Sequence, residues 1–231
     1  MEFIFDMTPA SVAIADSKQR FPIRRIYCVG RNYLEHIHEM KEGDERDLPF
    51  FFQKPSDAIV SDGAVVPYPP FTDDFQFEGE LVIAIGQQAS NVSVEDALQA
   101  VYGYAAGVDL TRRDRQRESF REGKPWEVGK SFDYSAAVGR IHPVAQAGHL
   151  LQGDIVLELN GQERQRGKLQ QMIWNPPEII AQLSRQYVLQ PGDLIMTGTP
   201  AGVGQLAPGD EVRVLIEGLA PFEFSIGPRE E

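Results

Sequence analysis

Residues 75–86 read FQFEGELVIAIG, and the fold and the site predicted for this chain are built around them. In an extended strand, residues two apart point to the same face, so Glu78 and Glu80 would direct two carboxylates to one place. The apolar run after them predicts a fully buried strand. Like charges beside a core repel each other, and a hard divalent cation such as Mg2+ relieves that repulsion through oxygen ligands. The alternative is a solvated edge strand with two surface glutamates.

The composition is that of a globular protein and limits the possible partners. The chain has 231 residues, of which 42% are hydrophobic and 24% charged, enough for one large domain. No run approaches the ~18 apolar residues of a membrane span, so no membrane partner is expected. A net charge of −12 disfavours nucleic acid and anionic membrane surfaces as partners. An acidic substrate would therefore need locally concentrated positive charge.

The single cysteine and the prolines bear on location and organisation. Cys28 has no second cysteine to pair with, and the opening residues carry no secretory signal, so a reducing cytoplasm is the expected location. The sequence PYPP at residues 67–70 marks a soft boundary. We expect a short N-terminal segment over residues 1–67 and a larger catalytic part over residues 68–231, together forming one structural domain.

Asp109 is the third candidate carboxylate. It is predicted near the carboxyl end of a strand over residues 104–110, and Thr111 is expected to cap a charged helix that reaches Gly123. A strand end next to a helix holds a side chain on rigid structure. The alternative is that Asp109 is a second cap for that helix. Residues 124–132 then predict a loop that carries two lysines.

His36 and Glu39 are predicted on a short helix over residues 33–40, with Asn32 as its cap. At a spacing of three they share a helix face and can hydrogen-bond. A lone histidine is more often structural than catalytic, and that alternative stays open here. The charged run 41–48 (KEGDERDL) follows, so residues 32–48 are expected to form a lid that closes over bound ligand.

The glycine-rich run 197–204 (TGTPAGVG) invites comparison with nucleotide-binding loops. It lacks the Gly-Lys-Ser/Thr ending of a P-loop, and no helical pattern follows it. Its backbone N–H groups can approach an anion closely, and Thr199 adds a hydroxyl. We therefore interpret it as a carboxylate cradle, with a plain turn as the alternative.

Two local signals make further structural predictions. Ser93, with Asp96 three residues later, predicts the start of a helix that reaches about Val101, with Gly103 as the residue that ends it. Asn160-Gly161 between two strand-like runs predicts a hairpin with a type I′ turn.

Six ordered motifs together resemble the fumarylacetoacetate hydrolase family over residues 24–227. They are VGRNYLEHIHEM (29–40), FFFQKPSDAIV (50–60), FEGELVIAIG (77–86), GVDLTRRDRQ (107–116), PWEVGKSFD (125–133) and GDLIMTGTPAGVG (192–204). The resemblance implies an α+β fold, a mixed β-sheet roll of the fumarylacetoacetase C-terminal-domain type with short flanking helices. It also implies a homodimer that binds Mg2+ or Mn2+.

The resemblance assigns roles to ten residues. The implied metal ligands are Glu78, Glu80 and Asp109; the implied catalytic residues are His36, Glu39 and Lys130; the implied substrate-binding residues are Arg113, Gln116, Gly198 and Thr199. One position departs from the pattern, because many acylpyruvases have a histidine where this chain has Phe77. Metal ligation should survive, since Phe77 would alternate to the other face of the strand.

Within the family, the chain looks most like the small fumarylpyruvate hydrolases and acylpyruvases of aromatic catabolism. That implies hydrolysis of the C3–C4 bond of a 2,4-diketo acid, above all fumarylpyruvate, with His36 as the base that activates water. An alternative on the same metal site is decarboxylation or tautomerisation of oxaloacetate, or isomerisation of another 2-keto acid. A non-catalytic protein that binds small acids is a further alternative, but binding alone would not need the His36/Glu39 pair.

Overall fold

The structure is a computed structural model that describes residue 4, residues 8–40 and residues 47–229. The strands in these residues are β1 (Ser11–Ala13), β2 (Arg20–Pro22), β3 (Ile26–Gly30), β4 (Phe50–Lys54), β5 (Ile59–Val60), β6 (Val65–Tyr68), β7 (Phe75–Phe77), β8 (Gly79–Ile85), β9 (Val101–Asp109), β10 (Thr111–Arg112), β11 (Ala136–Val138), β12 (His142–Pro143), β13 (Asp154–Leu159), β14 (Gln162–Lys168), β15 (Leu194–Met196), β16 (Gly204–Gln205), β17 (Glu211–Ile216) and β18 (Phe222–Arg229). The α-helices are α1 (Leu34–Met40), α2 (Val94–Ala97), α3 (Arg113–Glu122), α4 (Glu127–Lys130), α5 (Val144–Ala147) and α6 (Pro176–Ser184). Short 3-10 turns lie at Ser56–Ala58, Leu98–Ala100 and Leu169–Gln171.

Two large mixed sheets form the body of the molecule. The eight-stranded sheet has the order β4-β3-β15-β8-β9-β11-β5, with β12 beside β9. In it β3 runs parallel to β15 and β5 parallel to β11. The five-stranded sheet has the order β14-β13-β17-β18-β6. Mixed sheets with short flanking helices confirm the predicted α+β roll.

The central strand β8 is buried on both faces. Leu81, Ile83 and Ile85 pack into one apolar cluster, whereas Val82 and Ala84 pack into a second. A strand covered on both sides has a continuous apolar sequence, which is why residues 81–85 show no alternation with polar residues. By the two-residue period of the strand, Glu80 lies on the same face as Val82. The apolar run thus places a carboxylate at the edge of the core.

Residues on both sides of the expected boundary at residue 67 share these sheets. Strands β3 and β4 belong to the same sheet as β8 and β9. Strand β6 itself spans the boundary and pairs with β18 in the other sheet. The division of the chain into two segments stays a prediction.

The local signals succeeded in part. Ser93 caps α2 by accepting a hydrogen bond from the Asp96 N–H (3.2 Å), and Asn160 and Gly161 have φ values of 54° and 72°, as a type I′ turn requires. The helical segment ends at Ala100, close to the predicted end near Val101, but Gly103 does not end it, because Gly103 lies within β9. In the described part of the chain, no helix is long and apolar enough to cross a membrane.

Candidate active site

Three buried carboxylates meet where β8 and β9 run side by side. Glu78 immediately precedes β8, Glu80 lies within it, and Asp109 ends β9. The antiparallel register sets Glu80 opposite Gly107, and the Asp109 N–H donates to the Glu78 carbonyl (2.9 Å). One oxygen from each carboxylate lies within 4.8 Å of the others, and all three residues are at most 5% exposed.

Lys130 neutralises part of this charge. Its Nζ lies 2.7 Å from Glu78 Oε2 and 3.0 Å from Asp109 Oδ2, and it donates to Thr111 Oγ1 (2.8 Å). The predicted loop around it was wrong, because Lys130 ends helix α4. A side chain at Gly129 would come within 2.7 Å of the Gln116 backbone nitrogen, so glycine there lets α4 pack closely on α3. That contact brings Lys130 under the carboxylates.

Arg113 and Gln116 approach the site from helix α3. Arg113 forms a salt bridge with Glu78 through Nη2, and it donates to Gln116 Oε1 (2.5 Å) and to Gln76 Oε1 (2.9 Å). The expected cap at Thr111 was wrong, because Thr111 lies in β10 and Arg112 occupies the cap position. The Thr111 hydroxyl instead donates to the Asp109 carbonyl (3.2 Å). Thr111 therefore supports the carboxylate cluster.

Lys54 is a charged residue of the site that sequence reasoning missed. It ends strand β4 and is 2% exposed. Its Nζ lies 2.8 Å from Asp109 Oδ1 and donates to the backbone carbonyls of Leu110 (3.1 Å) and Lys130. The sequence did carry one signal: Lys54 ends the apolar run FFFQK (50–54). A charge at the end of a buried strand is costly unless it is paired, so an acidic partner could have been expected.

The two glutamates respond differently to their surroundings. Burial alone would raise the pKa of Glu78, but the positive charges of Lys130 and Arg113 outweigh it and hold that pKa well below its usual range. Burial raises the pKa of Glu80 well above its usual range, and the neighbouring charges of Asp109 and Glu78 raise it further. The Gly198 N–H donates to Glu80 Oε2 (2.8 Å) and offsets only part of this effect.

This donor set fits a divalent cation. Asp109 Oδ1 is buried and forms an ion pair with the Lys54 ammonium 2.8 Å away, but it accepts no hydrogen bond of good geometry. Three carboxylate oxygens in reach of one another are the hard ligands that Mg2+ and Mn2+ prefer. A cation among them would relieve the repulsion that raises the pKa of Glu80. Glu78, Glu80 and Asp109 are thus the residues that would hold it.

His36 and Glu39 form the expected pair on helix α1. His36 Nδ1 lies 3.2 Å from Glu39 Oε2, and both Glu39 carboxylate oxygens lie 3.2 Å from the Gly202 N–H that donates to them. Asn32 was predicted to cap this helix, but its side chain bonds the distant Trp174 and Thr197 backbones instead. The lid expected over residues 32–48 includes residues 41–46, which lie outside the described residues.

The loop of residues 197–204 is tied into the site by its own hydrogen bonds. Gly198 donates to Glu80, and the Thr199 hydroxyl donates to the Gly79 carbonyl (2.9 Å). Gln165 was missed from the sequence: it is 1% exposed, its Nε2 donates to Thr199 Oγ1 (2.8 Å), and its Oε1 accepts from the Gly79 N–H (2.9 Å). The only hint was a glutamine at an inward position of a hairpin strand.

One cavity joins these groups. Nine of the ten predicted site residues line it: His36, Glu78, Glu80, Asp109, Arg113, Gln116, Lys130, Gly198 and Thr199. Glu39 does not line the cavity, but its carboxylate contacts the His36 ring that does. Phe77 is 1% exposed within the apolar core, as its alternation along the strand predicted. The individual roles of these residues remain predictions.

Comparison with known proteins gives matches along nearly the whole chain. The family model described as fumarylacetoacetate (FAA) hydrolase C-terminal matches residues 25–226. A fumarylpyruvate hydrolase from Ralstonia sp is 45% identical over 181 residues, which are 78% of this chain and 94% of that protein. The mitochondrial oxaloacetate tautomerase FAHD1 of Homo sapiens is 36% identical over 203 residues, which are 88% of this chain and 91% of that protein.

A solved structure is also very similar. The crystal structure of fumarylpyruvate hydrolase from Pseudomonas aeruginosa in complex with Mn2+ and pyruvate superposes with a TM-score of 0.96 at 42% sequence identity. The match covers 99% of this chain and all of that one (100%). The expected divalent metal cofactor is therefore supported both by a similar protein that holds Mn2+ and by the buried carboxylates described above.

Proposed function

This chain belongs to the fumarylacetoacetate hydrolase family, and on that premise we propose that it is a metal-dependent hydrolase that cleaves the carbon–carbon bond of an acylpyruvate. Fumarylpyruvate is the proposed substrate, and fumarate and pyruvate are the products. The observation that carries the proposal is the convergence of three buried carboxylates and His36, which is paired with Glu39, on one cavity. The names of the similar fumarylpyruvate hydrolases support the choice of substrate.

The cation and the chain have separate tasks. When bound by Glu78, Glu80 and Asp109, the cation supplies a Lewis acid that favours negative charge on the pyruvyl half of the substrate. Lys130 and Arg113 add positive charge beside the cluster, in a protein whose net charge is −12. Gln116 and Thr199 line the same cavity, and the Gln116 amide nitrogen can donate to a substrate oxygen. The Thr199 hydroxyl can do so only in place of its bond to the Gly79 carbonyl.

His36 is the proposed general base. In the proposed tautomer the His36 Nδ1–H donates to the Glu39 carboxylate, which leaves Nε2 to take a proton from water. The water oxygen then bonds to C4 of the substrate, and the C3–C4 bond breaks with its electron pair moving to C3. His36 returns the proton to C3, so that water and substrate yield one carboxylic acid and pyruvate. Gly202 holds Glu39 in place through its N–H.

Oxaloacetate tautomerase activity is the second candidate. The similarity to the human enzyme of that name over 88% of this chain favours it. Tautomerisation moves a proton between carbon and oxygen of a 2-keto acid and needs no attacking water. The same cation and the same anchors for the carboxylate would serve it, and His36 would move the proton at C3 instead of activating water.

Assembly, location and pathway complete the proposal. We propose a homodimer in the cytoplasm with a role in aromatic catabolism. The family resemblance supports the homodimer and the role in catabolism. The single cysteine, which is buried, is compatible with a reducing compartment.

The test is an assay of the purified protein with Mn2+ or Mg2+ against fumarylpyruvate, acetylpyruvate and oxaloacetate. We expect the highest kcat/KM for fumarylpyruvate, loss of activity in EDTA and recovery on adding the metal. A larger kcat/KM for oxaloacetate tautomerisation than for acylpyruvate hydrolysis would replace this proposal with the second candidate.

A further inference from the structure

Arg31 is a cation of the cavity wall that neither sequence reasoning nor the mechanism above uses. Among the described residues that line the cavity, the cations are Arg31, Arg113 and Lys130. Arg113 and Lys130 form salt bridges with the metal-site carboxylates. The Arg31 guanidinium contacts two aromatic rings: its carbon lies 5.5 Å from the centre of the Phe50 ring and 5.6 Å from that of Phe120. Contacts of this kind orient a guanidinium while keeping its charge.

The backbone at Arg31 is strained, and its neighbour holds it in place. Arg31 has a φ of 59°, in the left-handed region that costs an ordinary residue roughly 1 kcal/mol. Asn32, next to it, is fully buried; it donates to the Thr197 and Trp174 carbonyls (2.7 and 2.9 Å) and accepts from the Trp174 N–H (2.8 Å). Strain of this kind persists where the surroundings impose it, often at ligand sites. Glycine would adopt this φ at no cost, so an arginine here points to a use for its side chain.

The wall around Arg31 is aromatic. Trp126 and Phe52 line the cavity, and their ring centres are 5.9 Å apart. Trp126 also packs edge to face on Phe50, with the ring centres 5.0 Å apart, and the Arg31 guanidinium lies over the Phe50 ring. A flat, unsaturated group with a charged end fits such a wall, because the rings contact its apolar faces and the guanidinium meets its charge.

On the basis of the function proposed above, we propose that Arg31, with Trp126 and Phe52, forms the binding subsite for an acyl group that ends in a carboxylate. Fumarylpyruvate has two carboxylates. The one on the pyruvyl half belongs with the metal site, and the one on the fumaryl half needs a second cation in this acidic protein. A guanidinium can bind a carboxylate through two parallel hydrogen bonds. Arg31 therefore selects acyl groups with a distal carboxylate over neutral ones.

The test compares fumarylpyruvate with acetylpyruvate, which lacks the distal carboxylate. In Arg31→Met the ratio of kcat/KM for fumarylpyruvate to that for acetylpyruvate should fall about 10- to 100-fold, mainly through KM, as for loss of a hydrogen-bonded ion pair. Arg31→Gly should lose the same selectivity, and it guards against misfolding because glycine tolerates the backbone conformation. Lys124→Met, which removes an exposed lysine paired with Glu122, is the matched control and should leave the ratio unchanged.

Equal losses on both substrates in the two Arg31 variants would overturn the subsite, because they would mean that Arg31 only supports the structure. If the wild-type protein cleaves neither substrate, the proposed function fails on its own. The subsite is then judged by calorimetric binding of fumarate in the presence of Mn2+. Fumarate binding that weakens about 10-fold or more in Arg31→Met upholds it, and unchanged binding refutes it.

Discussion

Lys54 Nζ lies 2.8 Å from Asp109 Oδ1, and both side chains are at most 2% exposed. The pair joins the edge strand β4 to the end of the central strand β9. Lys54 also donates to the carbonyl of Lys130, so it links the backbone of one site cation to the carboxylate of a proposed metal ligand. Three buried carboxylates thus face three buried cations, which are Lys54, Arg113 and Lys130.

The first prediction concerns this balance of charge. Lys54→Met should lower the free energy of unfolding of the metal-free protein by about 3 kcal/mol, because breaking a buried ion pair leaves an uncompensated charge. Urea denaturation in EDTA measures the loss. Adding Mn2+ should recover more stability in Lys54→Met than in wild type, since the cation would replace the missing charge. Unchanged stability in EDTA would show that Lys54 does not balance Asp109; Lys124→Met, at an exposed site, is the control.

The second prediction separates metal binding from folding. In Glu80→Gln the affinity for Mn2+ should fall by more than about 10-fold. Mutating even a residue that only hydrogen-bonds to a metal ligand typically lowers metal affinity about 10- to 100-fold. Stability without metal should stay equal or rise, because burial and two neighbouring carboxylates disfavour the charged form of Glu80. Glutamine can still accept the Gly198 N–H through its amide oxygen.

Calorimetry with Mn2+ and thermal unfolding in EDTA are the measurements for Glu80→Gln. Glu163→Gln removes a surface glutamate that pairs with Arg166, away from the carboxylate cluster, and should change neither value. Wild-type affinity for Mn2+ in Glu80→Gln would remove Glu80 from the proposed ligand set.

The third prediction assigns the base. His36→Ala should reduce fumarylpyruvate hydrolysis about 10²- to 10⁴-fold, the usual contribution of a positioned general base. Oxaloacetate decarboxylation should fall much less, because loss of CO2 needs neither an attacking water nor a base that activates it. Steady-state kinetics on both substrates give the answer, with His38→Ala as a control at an exposed position of the same helix. If both activities fall equally, the division of roles between base and metal is wrong.

The fourth prediction concerns helix α1 as a closing element. This helix has only seven residues, which is short for independent stability, and it contacts the rest of the site through Ile37, His36 and Glu39. Amide hydrogen exchange over residues 35–40 should slow when oxalate is added to the Mn2+ form, because oxalate mimics the pyruvyl end of the substrate. The backbone N–H groups of Ile173 and Trp174, which donate to the carbonyl and the side-chain oxygen of Asn32, should be protected in both states and serve as the internal reference. Equal protection of residues 35–40 with and without oxalate would mean that the His36/Glu39 pair is already in place.

Local periodicity in the sequence was enough to predict the carboxylate cluster. Glu78 and Glu80 are two residues apart on a strand, Asp109 ends the next long strand, and the apolar run after Glu80 indicates burial. These signals lie within a few residues of the groups they describe. The ordered motifs added the family, and with it His36, Lys130 and Thr199. Helix ends were less predictable: Thr111 looked like a cap, but its hydroxyl bonds the Asp109 carbonyl and Lys130.

Only the tertiary structure assigned partners to Lys54, Gln165 and Arg31. Gln165 bonds Gly79 across 86 residues of chain. Lys54 meets Asp109 although β3, β15 and β8 lie between their strands in the sheet order. Local sequence determines which face of a strand a side chain occupies, since that depends on the period of the backbone alone. Which charges then meet in the core depends on sheet order, register and helix packing, and these follow from contacts between residues that are distant in the chain. For this protein the sequence by itself predicted the carboxylates that could hold a cation, and the fold decided which charges balance them.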